Sequence, residues 1–224
     1  MPDSILSPET FRFFRDLARN NHKPWMDANR ARYRSHLTDP LRTLLDRLTP
    51  AASKLNRRFL LTGRTGENFS RINRDIRFAR DKSPYRSQMY LFFTEPGDNG
   101  GELYVGVNAT GATCGFRVYG SGRASPLVLL GRARGPQHTK WLERQSKRLK
   151  KYESYWHATE KGEWVRHPGW PAQPKHWKRI GAWIVRRQFS RSAAARSGFD
   201  REVAKIFRDL YCLYEFTTSS SWKP

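Results

Sequence analysis

The chain has 224 residues, 38% of them hydrophobic, with 8 Trp, 9 Tyr and 13 Phe and a formal net charge of +22. That length suits one domain, residues 1–224, with enough apolar matter for a core. A mean hydropathy of −0.80 and a longest aliphatic run of only Leu127–Leu130 exclude a membrane-spanning helix, which needs about 20 apolar residues.

Cys114 and Cys212 form neither a zinc motif nor a disulfide framework, and His22, His36, His138, His157, His167 and His176 lack ligand spacing. No metal and no cofactor are expected. Met1-Pro2-Asp3-Ser4 is not a basic-then-apolar leader, so a reducing, cytoplasmic location is the default. The sequence isoelectric point of about 10.7 suits an acidic partner, with DNA or RNA the first candidate. Arginine outnumbers lysine 30 to 12, which a GC-rich coding bias also produces. The charge is uneven: residues 1–112 carry a net +7 and residues 113–224 a net +15.

In chain order, Ser7-Pro8-Glu9 reads as a capped helix start, and Phe11, Phe14, Leu17 and Ala18 follow at helical spacing. Asn20-Asn21 ends that helix. Pro24 opens a second, with Trp25, Ala28, Tyr33 and Leu37 inward; Trp25 and Tyr33 suit the core better than a site. Asp39-Pro40 starts a third through Leu41, Leu44, Leu45 and Leu48, which Pro50 kinks or restarts.

The densest chemistry lies between Phe69 and Tyr90. Arg71, Arg74, Arg77 and Arg80 recur every third residue around Asp75 and Asp81, and Lys82, Tyr85 and Arg86 follow. At strand period, Arg71, Asn73, Asp75 and Arg77 share one face, and Ile72, Arg74, Ile76 and Phe78 the other, inward face. A strand or extended loop fits better than a tight helix, and Ser83-Pro84 keeps the chain extended. Two readings stand. In one, arginines and carboxylates brace each other. In the other, the carboxylates aim Arg71, Asn73, Arg74, Arg77 and Arg86 at a small anion. A catalytic version makes Asp75 or Asp81 a general base and Lys82 or Tyr85 a proton donor.

The pattern R-x-N-R-D-x-R-F-x-x-D-K-x-P-Y over Arg71–Tyr85, with Asn20, Asn21 and Trp25 as N-N-x-x-x-W and with Tyr33, resembles the signature of domain-of-unknown-function family 2461. The likeness is specific over about residues 8–120; beyond them only Phe189 and a terminal helix fit. The resemblance implies a single α+β domain with a shared site and names no reaction.

After the motif, Met89–Thr94, then Leu103, Val105 and Val107, then Cys114, Phe116 and Val118 read as three strands of an antiparallel meander. Helices before strands make the fold α+β, the sheet packed against N-terminal and C-terminal helices. Gly120-Ser121-Gly122 lacks the flanks of a phosphate loop. Residues 121–224 form a strongly basic, helical and Trp-rich part. A helix is expected over Thr139–Trp156, with Arg144, Lys147, Arg148 and Lys151 forming a cationic face suited to phosphates, or simply solvated. Residues 157–175 read as irregular chain pinned by tryptophans, whose other uses are base stacking or a protein interface. Lys175–Phe189 reads as a helix, Ser190–Ser197 as a turn, and Asp200 caps a last helix through Val203, Phe207, Leu210 and Tyr214.

The functional expectation is a polyanion-binding protein carrying an Arg/Asp anion site. The alternatives are an enzyme acting on a small phosphorylated or carboxylated substrate, or a phosphodiesterase or nuclease using Asp75 and Asp81.

Overall fold

The N-terminal helices follow the spacing of their apolar residues. The computed structural model describes residues 4–97, 100–120, 136–171, 173–177, 180–219 and 222–223. The Gly120–Gly122 segment beyond Gly120, and Leu127–Leu130, lie outside the described residues. Helix α1 (Pro8–Arg19) has Ser7 before it and buries Phe11, Phe13, Phe14 and Leu17. Helix α2 (Lys23–Ala28) is shorter than expected. Asn29 interrupts the chain there, and its side-chain amide donates to Trp25 O at 2.9 Å. Helix α3 (Arg30–Tyr33) passes through one wide π turn, Arg34–Thr38, into α4 (Asp39–Leu55). Pro50 neither breaks nor restarts α4, which continues to Leu55 with Leu41, Leu44, Leu45, Leu48 and Ala52 buried.

Six strands follow: β1 (Gln88–Phe93), β2 (Gly101–Asn108), β3 (Gly111–Tyr119), β4 (Glu153–Glu160), β5 (Glu163–Pro168) and β6 (Ile180–Ser190). They form one antiparallel sheet in the order β1-β2-β3-β6-β4-β5. Helix α5 (Pro136–Arg148), α6 (Pro174–Trp177), α7 (Arg191–Ala194) and α8 (Phe199–Thr218) complete an α+β fold. Among the described residues no helix is long and apolar enough to cross a membrane.

Three expectations in the second half are corrected. The helix expected over Thr139–Trp156 stops at Arg148, and Glu153 begins β4. Leu149, Tyr152 and Trp156 fit a helical stripe, but Tyr155 and Trp156 are also good strand residues, and cross-strand partners decide such cases. The irregular stretch expected over residues 157–175 is largely a hairpin, with Trp156 opposite His167 and Glu160 opposite Glu163. Its turn is Lys161-Gly162, at φ 49° and 85°, the left-handed geometry of a two-residue hairpin loop, which glycine adopts freely. The helix expected over Lys175–Phe189 is the short α6 followed by strand β6. Ala182, Trp183, Ile184 and Val185 are all buried. A central strand covered on both faces loses the alternation that identifies a strand. A Cβ on Gly115 would sit 2.2 Å from Val185 O, so β3 can lie against β6 there only with glycine.

The chain divides into two compact units whose boundary falls within β2, β3, β6 and α8. The first comprises Met1–Phe93, Tyr104–Cys114 and Gln188–Lys205. In it the Phe13 ring meets Trp25 at 5.7 Å and Tyr33 at 5.8 Å. Both aromatics therefore pack, and burial raises the Tyr33 hydroxyl pKa. The second comprises Thr94–Leu103, Gly115–Arg187 and Ile206–Pro224. Its core is aromatic: Trp183 meets Phe116, Trp170 and Trp177 edge-on at 5.1–5.6 Å, and Trp141 stacks on Phe216 at 4.9 Å. The tryptophans of the basic half are thus mostly packed, with Trp164 exposed.

Candidate functional site

Within the first unit, the motif is an extended loop closed at its neck. Asn73 bridges Tyr85 in antiparallel fashion. Arg74 N–H donates to Pro84 O and Arg86 N–H to Ile72 O, both at 2.8 Å. The polar row faces water as the alternation predicts: Arg71, Asn73, Asp75 and Arg77 are exposed. On the other face Ile72 is buried and Arg74 and Ile76 are half-buried, but Phe78 is 96% exposed. Its inward placement is therefore corrected. The chain turns between Ile76 and Ala79, whose N–H donates to Ile76 O at 3.3 Å, and alternation does not survive a turn.

Asn21 holds the neck from outside. Its amide nitrogen donates to Tyr85 O at 2.9 Å, and its carbonyl accepts from Tyr85 N–H at 3.0 Å. One side chain thereby does the work of a neighbouring strand, which ties the N-N-x-x-x-W signature to the P-Y end of the long one. Asn20 donates to Asp16 O at 3.0 Å and only finishes α1.

Both carboxylates of the motif are exposed and locally paired. Asp75 takes Arg77 two-pronged, Nε at 3.0 Å and Nη2 at 2.7 Å, and that bonding lowers its pKa. Asp81 accepts from Ser83 N–H at 2.9 Å and pairs with Arg74. The Ser83 bonds first, then Arg74, pull its pKa down to about 2. Arg74 also reaches Ser83 O at 3.2 Å. Lys82 Nζ donates to the carbonyls of Ile76 at 3.0 Å and Arg77 at 3.3 Å. Among the described residues the guanidinium groups of Arg71, Arg80 and Arg86 have no acidic partner.

A cleft of about 400 Å³ opens beside the neck, lined by Asn21, Arg74, Asp81, Ser83, Tyr85, Arg86 and Gln88, with Ala18 and Ser87. The structure thus gathers Arg74, Asp81, Tyr85 and Arg86 at one place and leaves Arg71, Asn73, Asp75, Arg77 and Lys82 off it. Gln88 and Ser87 carry no signal in the sequence, where Asn21 reads as a helix end. Only the spacing of the two signatures linked Asn21 to the loop. The charged lining of the cleft is Arg74 and Arg86 against Asp81, with the Ser83 donors turned to Asp81 and the Gln88 amide beside them.

Within the second unit, α5 carries the cationic face. Lys140, Arg144 and Lys147 are exposed at i, i+4 and i+7, without acidic partners among the described residues. With Gln137 and Glu143 they line a groove of about 460 Å³. Arg148 and Lys151 differ. Arg148 donates to Asp209 O and to Cys212 Sγ, each at 3.0 Å. Lys151, past the end of α5, pairs with Asp209 at 2.7 Å, and Tyr152 donates to the same carboxylate at 2.7 Å. Burial pushes the Asp209 pKa up, but those two bonds together with the charges of Lys151 and Arg148 outweigh it and the net shift is down. Burial also pushes the Cys212 thiol up, against the pull of Arg148. Lys140 was missed in the sequence because the stripe was counted from Arg144 onward.

Among the described residues no three His, Cys, Asp or Glu side chains are grouped to hold a metal ion. A family model described as Conserved hypothetical protein (DUF2461) matches residues 9–216, so the likeness runs well past the motif and through the strongly basic half. None of the curated proteins compared with the chain matches it.

Proposed function

The chain belongs to the DUF2461 family, and from that premise we propose that it is a polyanion-binding protein whose first-choice partner is DNA or RNA. The observation that carries the reading is the α5 face: Lys140, Arg144 and Lys147, exposed, in register and lacking acidic partners among the described residues. Cations on one helix face contact successive phosphates and release bound counterions, so affinity falls with salt and depends little on sequence. Such a protein works in the reducing cytoplasm, where both cysteines remain thiols.

The test is the triple variant K140E/R144E/K147E on a 20-base-pair DNA duplex, followed by fluorescence anisotropy across a salt series. Affinity should fall at least ~100-fold at low salt, and the salt slope should flatten by about 3. A variant that binds like the parent at every salt concentration removes the reading. All three side chains are exposed, so circular dichroism should be unchanged.

A second reading rests on the cleft at the neck of the motif loop, where Arg86 has no acidic partner among the described residues and stands among Arg74, Asn21 and Gln88. It suits a small phosphorylated or carboxylated ligand. Binding is favoured over turnover there. A general base near neutrality needs a pKa not far from 7, whereas Asp81 is held down to about 2 and Asp75 is also lowered. Lys82 is engaged with two backbone carbonyls. A phosphodiesterase or nuclease ranks last, because Asp75 and Asp81 are each already paired with an arginine.

A further inference from the structure

We propose that the tip of the motif loop is a base-stacking site: Phe78 takes the face of an unpaired nucleobase, so the polyanion is single-stranded nucleic acid. This rests on the polyanion reading and narrows it.

A lone exposed apolar side chain is ordinary; the way this one is held is not. Phe78 is 96% exposed, and the turn that carries it is braced from both sides. Before it, Asp75 clamps Arg77 through Nε and Nη2 and accepts the Arg77 backbone N–H at 3.2 Å. Across the turn, Lys82 Nζ grips the carbonyls of Ile76 and Arg77. Ile76 is half-buried and anchors the base of the turn. These bonds brace the backbone turn that carries Phe78, so its outward position is set before a ligand arrives, which lowers the cost of binding.

The surroundings select the occupant. The Arg77 guanidinium lies 5.9 Å from the Phe78 ring centroid. Arg80, two residues on, is exposed and has no acidic partner among the described residues. An aromatic face with an arginine two residues on that lacks an acidic partner among the described residues matches a ligand that joins a flat π surface to a phosphate. A duplex hides its base faces in the stack, whereas a single strand offers them. A bilayer or an apolar protein patch would call for several exposed apolar groups together, and here the apolar neighbours within two residues, Ile76 and Ala79, are half-buried while Arg77 and Arg80 are exposed.

The experiment uses the full chain and its F78A and F78W variants. The probes are a 12-nucleotide oligothymidine, a 12-base-pair duplex, inorganic polyphosphate and vesicles of anionic phospholipid. F78A should bind oligothymidine about 5- to 100-fold more weakly, with duplex and polyphosphate changed less than twofold. F78W should keep parental affinity, its indole fluorescence quenched by oligothymidine. Equal losses on all three polyanions, or no loss on oligothymidine while duplex and polyphosphate still bind, overturn the stacking site and leave the polyanion reading standing. A loss confined to the vesicles assigns Phe78 to lipid and overturns it as well. A parent that binds none of the polyanions overturns both readings.

Discussion

The loop at Arg71–Arg86 and the helix α5 are both cationic, yet their charges are disposed in opposite ways. In the loop the acids sit within the same short stretch, so Asp75 and Asp81 each occupy a neighbouring arginine, and what remains outward depends on a turn held by backbone bonds. On α5 the relevant acid lies on another element. Asp209 of α8 draws in Lys151, and its carbonyl draws in Arg148. Lys140, Arg144 and Lys147 have no acidic partner among the described residues and face solvent. A count of cations therefore says little about binding; where the carboxylates fall after folding decides which cations are available.

Three measurements break or sharpen that contrast. The largest effect is expected from N21A. It orphans the backbone N–H and C=O of Tyr85, at a cost of about 2–4 kcal/mol by urea denaturation, and it should open the loop to proteolysis while duplex affinity is kept. An unchanged urea midpoint would mean that the loop holds itself, and the distinction from α5 would narrow.

D209N should have an intermediate effect. It removes the charged acceptor of Tyr152 and Lys151, costing about 1–2 kcal/mol. It also releases Lys151 and deletes one repelling charge, so affinity for polyphosphate should rise about 3- to 10-fold by the same counterion argument. Weaker binding would show that Arg148 and Lys151 act in their clamped positions.

The smallest effect concerns acid. Asp81 is depressed from 3.8 to about 2 in the folded chain, so it stabilises the fold above pH ~4, and that contribution is lost as pH falls from ~4 toward ~2. A carboxyl-carbon NMR titration should place its midpoint near 2. In R74Q the midpoint should rise yet stay below 3.8, because Ser83 N–H remains as donor. A midpoint already at 3.8 in the parent would remove the loop's bracing role for this residue.

Much of the first half was legible. Helix α1, the Leu41–Leu48 stripe and the strands through Leu103, Val107 and Phe116 follow local periodicity. So did the polar row of the motif, whose residues face water as their alternation predicts. Phe78 did not, because a turn at Ile76–Ala79 ends the alternation just before it. Between Arg148 and Phe189 the expectations fail for a different reason, while the last helix, Phe199–Thr218, forms as its spacing predicts. Trp156, Ile180 and Ile184 carry spacings that fit a helix, and only partners from distant positions made strands of them.

Sequence alone determined the α+β class, the family, the cationic excess and the identity of the loop as the chemically dense stretch. These depend on composition and on patterns a few residues long. Tertiary structure decided that Asn21 completes the neck of that loop, that β6 is a strand inserted between β3 and β4, and that Asp209 pairs with Lys151. Each of those depends on groups tens of residues apart meeting within about 3 Å, a distance that one-dimensional periodicity does not encode.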